Sequence, residues 1–164
     1  MKKTLLSVLI VISLLSTALS LKAQDYQTAI GAKFGGYENG ISIKYFTQKD
    51  ISLEGVLGFR SHGIVLTGLY EKNQEAFGVS DLKLYYGIGA HLGSINGEYQ
   101  TYSGGNQNFN SNTLLLGADA VLGLEYRIPN APLAISVDLN PRLELATGPF
   151  FDLAPAVGLK YIFR

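Results

Sequence analysis

The chain has 164 residues, with 13 lysine and arginine residues against 13 aspartate and glutamate residues, and it contains no cysteine. A balanced charge gives no general attraction for nucleic acid or for an anionic membrane surface. The absence of cysteine excludes disulfides, thiol catalysis and cysteine-based zinc sites. The length suits a single domain.

The N-terminus has the order of a secretory signal peptide. Two lysines precede an apolar run over residues 5–15, and small residues follow the run. The run is shorter than the roughly 20 residues that a membrane-spanning helix needs. We predict a signal peptide over residues 1–23 with cleavage after Ala23, cleavage after Ser20 being the alternative. The remaining domain, 24–164, keeps 10 basic and 13 acidic residues, because the removed segment carries three lysines and no acid.

Beyond residue 25, alternation of apolar and polar residues predicts β-strands rather than helices. Turn residues such as Glu38-Asn39-Gly40 separate the strands and predict short hairpin connections, and therefore an antiparallel up-and-down order. Many of the 19 glycines lie inside the strands, as the sharp curvature of a small barrel requires. The eight predicted strands span approximately 28–36, 40–48, 51–60, 63–71, 81–92, 113–127, 133–146 and 152–163.

The two faces of the predicted strands differ in composition, and the difference indicates whether each face contacts water, lipid or an enclosed lumen. Over residues 134–145, Ile135, Val137 and Leu139 alternate with small and charged residues such as Asp138. A water-facing surface has no need of small residues, whereas a narrow lumen does. Ten residues tilted near 45° climb roughly 24 Å, which matches the apolar band of about 25 Å on outer-membrane barrels. We therefore predict an all-β fold, an eight-stranded antiparallel up-and-down transmembrane β-barrel with its charges inside.

The inward face of this barrel is predicted to carry a charge network. An eight-stranded interior is just wide enough for side chains to fill. We therefore expect these charges to form a salt-bridged plug, and the alternative is a polar path for solute. The predicted network consists of Lys33, Lys44, Glu54, Lys83, Asp119, Glu125, Asp138, Arg142, Glu144 and Lys160.

Aromatic residues are predicted to mark the inner rim. If both chain ends are periplasmic, four strands descend to the inner side of the membrane, and each ends in an outward aromatic residue. Such rings favour the headgroup level, so they predict an aromatic girdle. The girdle residues are Tyr45, Tyr70, Tyr126, Tyr161 and Phe163.

The same alternation of ascending and descending strands places the longest connection outside the cell. Residues 94–112 are rich in glycine, serine, asparagine and glutamine, and Tyr99, Tyr102 and Phe109 are interspersed among them. Aromatic residues among small polar ones are typical of binding loops, so these three are candidate contacts with an extracellular partner. The alternative is a solvated loop, or two strands extended above the membrane. On the periplasmic side, 71–80 is expected to be a long turn with Phe77 folded back against the rim.

Several segments of the mature chain have a pattern shared with a known class of proteins. They are Ala23-Gln24, Leu69-Tyr70-Glu71, LYYGIGAH (84–91), GLEYRIP (123–129) and GLKYIFR (158–164). Through these segments the chain resembles the small eight-stranded outer-membrane β-barrels, the class that includes the OmpX and OmpA transmembrane domains, and more narrowly uncharacterised barrels of Bacteroidota. The resemblance implies location in the outer membrane, contact with its lipids and recognition by the barrel-assembly machinery through the last segment. It implies no settled activity.

His91 raises the one catalytic alternative. Some outer-membrane barrels are lipid A deacylases or acyltransferases that use a histidine, a serine and an acid, and Ser94 lies three residues after His91. On a continuous strand the two side chains face opposite ways, so we predict that His91 lines the lumen and that the protein is not an enzyme. Two histidines make no metal motif, and no cofactor is predicted.

These patterns predict an outer-membrane barrel with a plugged polar lumen and a structural or surface-interaction role through its outer loops. One alternative is an outer-membrane lipid A-modifying acyl hydrolase or transferase that depends on His91. The other is a soluble periplasmic barrel that binds an apolar ligand, with the oily strand faces turned inward.

Overall fold

The computed structural model describes residues 27–35, 39–60, 62–96, 99–102, 105–108, 113–146 and 150–163. These residues form ten β-strands. Across these ranges no helix is long and apolar enough to cross a membrane. The strands are β1 (Thr28–Gly35), β2 (Asn39–Phe46), β3 (Ile51–Arg60), β4 (Gly63–Ala76), β5 (Val79–Ile95), β6 (Tyr99–Tyr102), β7 (Gly105–Asn108), β8 (Thr113–Arg127), β9 (Leu133–Glu144) and β10 (Phe150–Phe163).

Eight of the strands close into one barrel in the order β1-β10-β9-β8-β5-β4-β3-β2, and all neighbours are antiparallel. β1 pairs with β2 on one side and with β10 on the other, from Thr28 opposite Phe163 to Gly35 opposite Ala156. Closure leaves no unpaired strand edge. The predicted eight-stranded up-and-down β-barrel is confirmed, and β6 and β7 form a separate two-stranded hairpin.

The polarity of the barrel is inverted relative to a protein folded in water. Ile88 is 70% exposed and Val137 57% exposed, whereas the side chains of Lys44 and Glu54 are buried inside. In a protein folded in water, lysine and glutamate are mostly exposed and large apolar residues form the core. The soluble-barrel alternative requires the opposite arrangement, with apolar side chains facing the interior.

The barrel has two distinct ends, which we call inner and outer. The inner end holds both terminal strand ends and the connections at 47–50, 77–78 and 128–132. The outer end holds the strand ends at Gly35 and Asn39, Arg60 and Gly63, Ile95 and Thr113, and Glu144 and Phe150. The longest stretch between consecutive barrel strands, which contains β6 and β7, therefore starts and finishes at the end opposite the first residue of β1 and the last residue of β10.

The connection between β4 and β5 corrects the predicted long turn at 71–80. β4 continues to Ala76, β5 starts at Val79, and only Phe77 and Gly78 lie between them. Both have positive φ, 54° and 70°, as a two-residue type I′ hairpin turn requires. β3 begins at Ile51, opposite Lys72, so the end of this hairpin projects past its neighbour. Phe77 is 87% exposed at the tip and does not fold back against the rim.

Aromatic side chains lie on the outer face near both ends of the barrel. The residues of the predicted girdle lie outward near the inner end, where Tyr161 and Phe163 meet edge to face with ring centroids 5.0 Å apart. A second outward group near the outer end, Phe34, Phe59 and Phe151, was not predicted. On β10, Phe151 and Tyr161 are ten residues apart, which is roughly 24 Å along the barrel axis at a tilt near 45°.

Candidate functional site: the charged lumen

The inner half of the lumen contains a cluster of five charged side chains from five different strands. Lys160 Nζ lies 3.0 Å from Glu54 Oε1 and 3.1 Å from Glu125 Oε2. Lys44 Nζ lies 2.9 Å from Glu71 Oε2 and 3.8 Å from Glu125 Oε2. All five side chains are buried. We call Lys44, Glu54, Glu71, Glu125 and Lys160 the inner cluster.

Tyr85 lies at the centre of the lumen and connects the inner cluster to a further ion pair. Its hydroxyl donates a 2.6 Å hydrogen bond to Asp138 Oδ2. Asp138 Oδ2 also lies 3.1 Å from Lys33 Nζ. The ammonium group of Lys44 lies 4.2 Å from the centroid of the Tyr85 ring, within the range of a cation–π interaction. One fully buried aromatic side chain thus contacts charges from β2 and β9.

A second cluster lies nearer the outer end and is built around His91. Nδ1 of His91 lies 2.8 Å from Asp119 Oδ2, and Nε2 lies 3.0 Å from Glu144 Oε2. A neutral imidazole donates only one hydrogen bond, so both contacts are complete when both ring nitrogens carry hydrogen. Arg142 donates from Nε to Asp119 Oδ1 at 2.7 Å, and its NH2 group donates to Thr67 Oγ1 at 3.2 Å. We call His91, Asp119, Arg142 and Glu144 the outer cluster.

Backbone geometry makes room for these side chains. A Cβ atom at Gly123 would lie 2.5 Å from the Tyr85 ring and 2.6 Å from Asp138 Cβ. A Cβ atom at Gly117 would lie 2.6 Å from the His91 ring. Small inward residues on β8 therefore leave space for the large polar side chains of neighbouring strands, as the sequence pattern of a crowded lumen indicates.

The predicted lumen residues fall into three positions. Lys44, Glu54, Glu125 and Lys160 lie in the inner cluster. Asp119, Arg142 and Glu144 lie in the outer cluster, and Lys33 and Asp138 pair between the two. Lys83 lies apart from these contacts, half-buried near the inner rim, on the face of β5 that carries Tyr85 and opposite Glu125 in the register.

Three buried residues belong to the lumen contacts but not to the predicted network: Glu71, Tyr85 and His91. The predicted fourth strand ends at residue 71, which assigns Glu71 to the start of a turn, whereas β4 continues to Ala76. Tyr85 lies on the inward face that alternation predicts, and this alternation was the signal that could have identified it.

His91 and Ser94 are not brought together by the fold. His91 is buried in the lumen between two carboxylates, while Ser94 is exposed on the opposite face of β5. Within the described ranges, no three histidine, aspartate or glutamate side chains are arranged to hold a metal ion.

The outer connection is organised as a backbone hairpin. β6 and β7 pair from Tyr99 opposite Asn108 to Tyr102 opposite Gly105, so this part of the connection forms two strands, and their extension above the membrane stays a prediction. Of the predicted contact residues, Tyr99 and Tyr102 lie on β6. Phe109 lies outside the described residues, and the role of all three as contacts stays a prediction.

The fold and its polarity define the molecule as a small closed up-and-down β-barrel with an apolar outer face and an ionic lumen. No protein-family model matches the sequence, and no match was found among curated proteins. Among solved structures, the chain is similar to Neisserial surface protein A (NspA), with a TM-score of 0.52 and 11% sequence identity. The similarity covers 83% of this chain and 93% of that one, and at this identity it shows a shared fold.

Proposed function

We propose that the protein is an integral outer-membrane β-barrel, with its outer face in lipid and a structural or surface-interaction role. The inverted polarity carries this proposal. A band of exposed apolar side chains surrounds the barrel, and buried charges lie inside it. Lipid removes the apolar side chains from water, and closure satisfies the backbone hydrogen bonds that lipid cannot satisfy.

Two further observations support export to the outer membrane. The predicted signal peptide over 1–23 provides a route out of the cytoplasm. The similar structure, NspA, is named as a surface protein of Neisseria. We propose that the barrel contacts outer-membrane lipids and is inserted by the barrel-assembly machinery.

The arrangement of the lumen supports a plug rather than a pore. The inner cluster joins β2, β3, β4, β8 and β10 through ion pairs of 2.9 to 3.8 Å. The Tyr85 ring lies against this cluster. A solute crossing the lumen would have to separate these buried ion pairs, which is energetically costly.

Location in the membrane is tested by fractionation and heat modifiability. We expect the protein in the outer-membrane fraction, with a mobility on SDS gels that shifts when the sample is boiled. Recovery in the soluble fraction without such a shift would overturn the proposal. Mass spectrometry of the N-terminus tests cleavage after Ala23 in the same preparation.

Orientation is tested by epitope insertion. A tag placed between β6 and β7 should be labelled on intact cells. A matched tag in the turn between Phe77 and Gly78 should be labelled only after the outer membrane is permeabilised. Labelling in the reverse order would place the 94–112 connection in the periplasm and exclude it as an extracellular contact surface.

The plug is tested by conductance in planar lipid bilayers. The wild-type protein should give no steady channel steps, and Tyr85→Ala should give them because it removes the central ring. The matched variant Tyr86→Ala changes an outward ring on the neighbouring position and should stay closed. Steady channel steps in the wild-type protein would contradict the plug.

A further inference from the structure

The outer half of the lumen contains a cavity that the ion clusters do not fill. It is partly open, and its empty volume, the open mouth included, is about 460 Å³. Gly35 and Gly40 line it at the outer ends of β1 and β2. Lys33 and Arg142 also line it, and these side chains come from the ion pair and the outer cluster described above. The remaining lining residues are Val56, Thr67, Leu69, Asn140, Ala154 and Ala156.

The charged groups that line this cavity have one sign. Among the described residues lining it, Lys33 and Arg142 are charged, and no acid is included. Their carboxylate partners lie deeper in the protein. The side chain of Lys33 is 8% exposed and that of Asp138 is 0% exposed, while for Arg142 and its partner Asp119 the values are 11% and 2%. In each pair the cation is the member that borders the open space.

Lys33 has donors beyond those its carboxylate uses. An ammonium group carries three N–H donors, and Asp138 lies at one side of it, 3.1 Å away. The hydroxyl of Thr67 accepts from Arg142 and keeps its own hydrogen to donate. A ligand in the cavity therefore meets donors from Lys33 and Thr67 and the positive charges of Lys33 and Arg142.

The rest of the wall is apolar and built from small side chains. Val56 and Leu69 lie on one side, and Ala154 and Ala156 lie on another. A wall of this kind favours a ligand that places an apolar part beside its charge. Because the 460 Å³ includes the open mouth, the enclosed space is smaller and suits a ligand of few non-hydrogen atoms.

We infer that this cavity, which we call the outer cup, binds a small organic anion with a short apolar tail, such as a short-chain carboxylate. The carboxylate lies at Lys33 and Arg142, and the tail lies against Val56, Leu69 and the two alanines. Butyrate is a suitable probe because it is ionised at neutral pH and has a three-carbon tail. The cup is a binding site above the plug, so this inference does not require solute to cross the lumen.

The test is a titration of the purified full-length mature barrel in detergent, followed by methyl NMR. Butyrate should shift the methyl signals of Val56, Leu69, Ala154 and Ala156 saturably. Methyl signals on the outer face, such as Val137, report detergent effects and should not follow the same curve. Butylammonium has a comparable tail and the opposite charge and should leave the cup signals unchanged. Acetate should bind more weakly, by up to roughly fourfold for each buried methylene group lost.

Two variants separate the cup from a general effect of the additive. Ala156→Leu fills the cavity and should raise the apparent Kd for butyrate at least tenfold. Ala118→Leu makes the same change on the exposed face of β8 and should leave the Kd unchanged. The inference is overturned if butylammonium shifts the same signals as butyrate, if butyrate gives no saturable shift, or if Ala156→Leu binds like wild type. The comparison of butyrate with butylammonium needs only the wild-type protein, so it decides the question even if Ala156→Leu does not fold.

The outcome is independent of the membrane proposal. If the barrel fractionates with the outer membrane and does not bind butyrate, only the inference of anion binding in the outer cup is refuted. A barrel that binds butyrate but stays in the soluble fraction refutes the membrane location alone.

Discussion

The hydroxyl of Tyr85, on β5, donates a 2.6 Å hydrogen bond to Asp138 Oδ2, on β9. The same carboxylate pairs with Lys33 from β1, and the ring of Tyr85 lies beside the ammonium of Lys44 from β2. Strands that are not neighbours in the sheet are thereby connected through the lumen. These interior contacts supplement the backbone ladder and fix the cross-section of the barrel.

We expect Tyr85→Phe to lower the free energy of unfolding by about 1.5–3 kcal/mol, because it removes a hydrogen bond to a charged group. The ring is retained, so its contact with Lys44 persists. Urea unfolding from lipid vesicles measures the change. Tyr86→Phe is the matched control, since this neighbouring ring faces outward, and it should change stability by no more than about 0.5 kcal/mol. Equal losses in the two variants would contradict the central role of Tyr85.

Of the cations in the inner cluster, Lys160 is expected to cause the largest loss of stability when it is replaced. Lys160→Met leaves Glu54 and Glu125 without their shared ammonium in a closed interior, and breaking a buried pair in this way costs about 3–5 kcal/mol. The temperature at which the folded band disappears on SDS gels reports the loss. Lys49→Met, in an exposed turn, removes the same charge and should leave that temperature unchanged.

A double-mutant cycle tests whether the pairing itself is responsible. Glu54→Gln removes one of the two charges that Lys160 neutralises, so the double variant Lys160→Met with Glu54→Gln should lose less than the sum of the single losses. Strictly additive losses would show that Lys160 contributes through packing of its stem alone.

The period of two in the sequence identified which residues face the lumen, but it did not identify their partners. Alternation placed Asp138 and Lys160 on the inward face because side chains on a strand alternate regardless of register. Partners depend on how strands are offset around the closed barrel, and neither Lys160 with Glu54 nor Tyr85 with Asp138 belongs to adjacent strands. Contacts between non-adjacent strands form only when the barrel closes, so the pattern of a single strand cannot predict them.

The errors at the inner end have a local cause. A two-residue type I′ turn is usually signalled by Asn-Gly or Asp-Gly, and here it is Phe77-Gly78, which has no such signal. The predicted fourth strand therefore ends too early, at residue 71, and this assigns Glu71 to a turn instead of the lumen. The correct hairpin adds residues 72–76 to β4 and moves Glu71 well inside the strand.

Frequent glycine inside the strands predicts sharp curvature or close packing, and the structure shows close packing at Gly123 but open space at Gly68. We predict that Gly123→Ala destabilises the barrel, because its Cβ would lie 2.5 Å from the Tyr85 ring and 2.6 Å from Asp138 Cβ. Gly68→Ala is the control, since a Cβ there meets nothing within 4 Å, and a less flexible unfolded chain favours folding slightly. Unfolding in urea should separate the two variants, and a similar effect in both would mean that the lumen has spare room at Gly123.

The outer face provides a test of the lipid environment. Val157 lies on β10 between the aromatic groups at the two ends and is half-exposed. In a bilayer, Val157→Arg should cost about 2–4 kcal/mol, because the charge lies near the midplane. Thr47→Arg, in an exposed turn at the inner end, should cost little. We expect reduced folding into lipid vesicles for Val157→Arg only, and folding yields equal to wild type for both variants would show that this face does not meet lipid.

The tip of the β4–β5 hairpin combines a bulky side chain with a left-handed backbone. Phe77 has a φ of 54°, a conformation that is costly for most residues and easier for asparagine. Phe77→Asn should therefore strengthen the hairpin, and since Phe77 is 87% exposed little packing is lost. The effect should be local, so hydrogen exchange at the amides of Ala76 and Val79 is the appropriate measurement, with slower exchange expected. Faster exchange in Phe77→Asn would mean that the phenyl ring stabilises the tip through contacts made in the membrane-inserted protein.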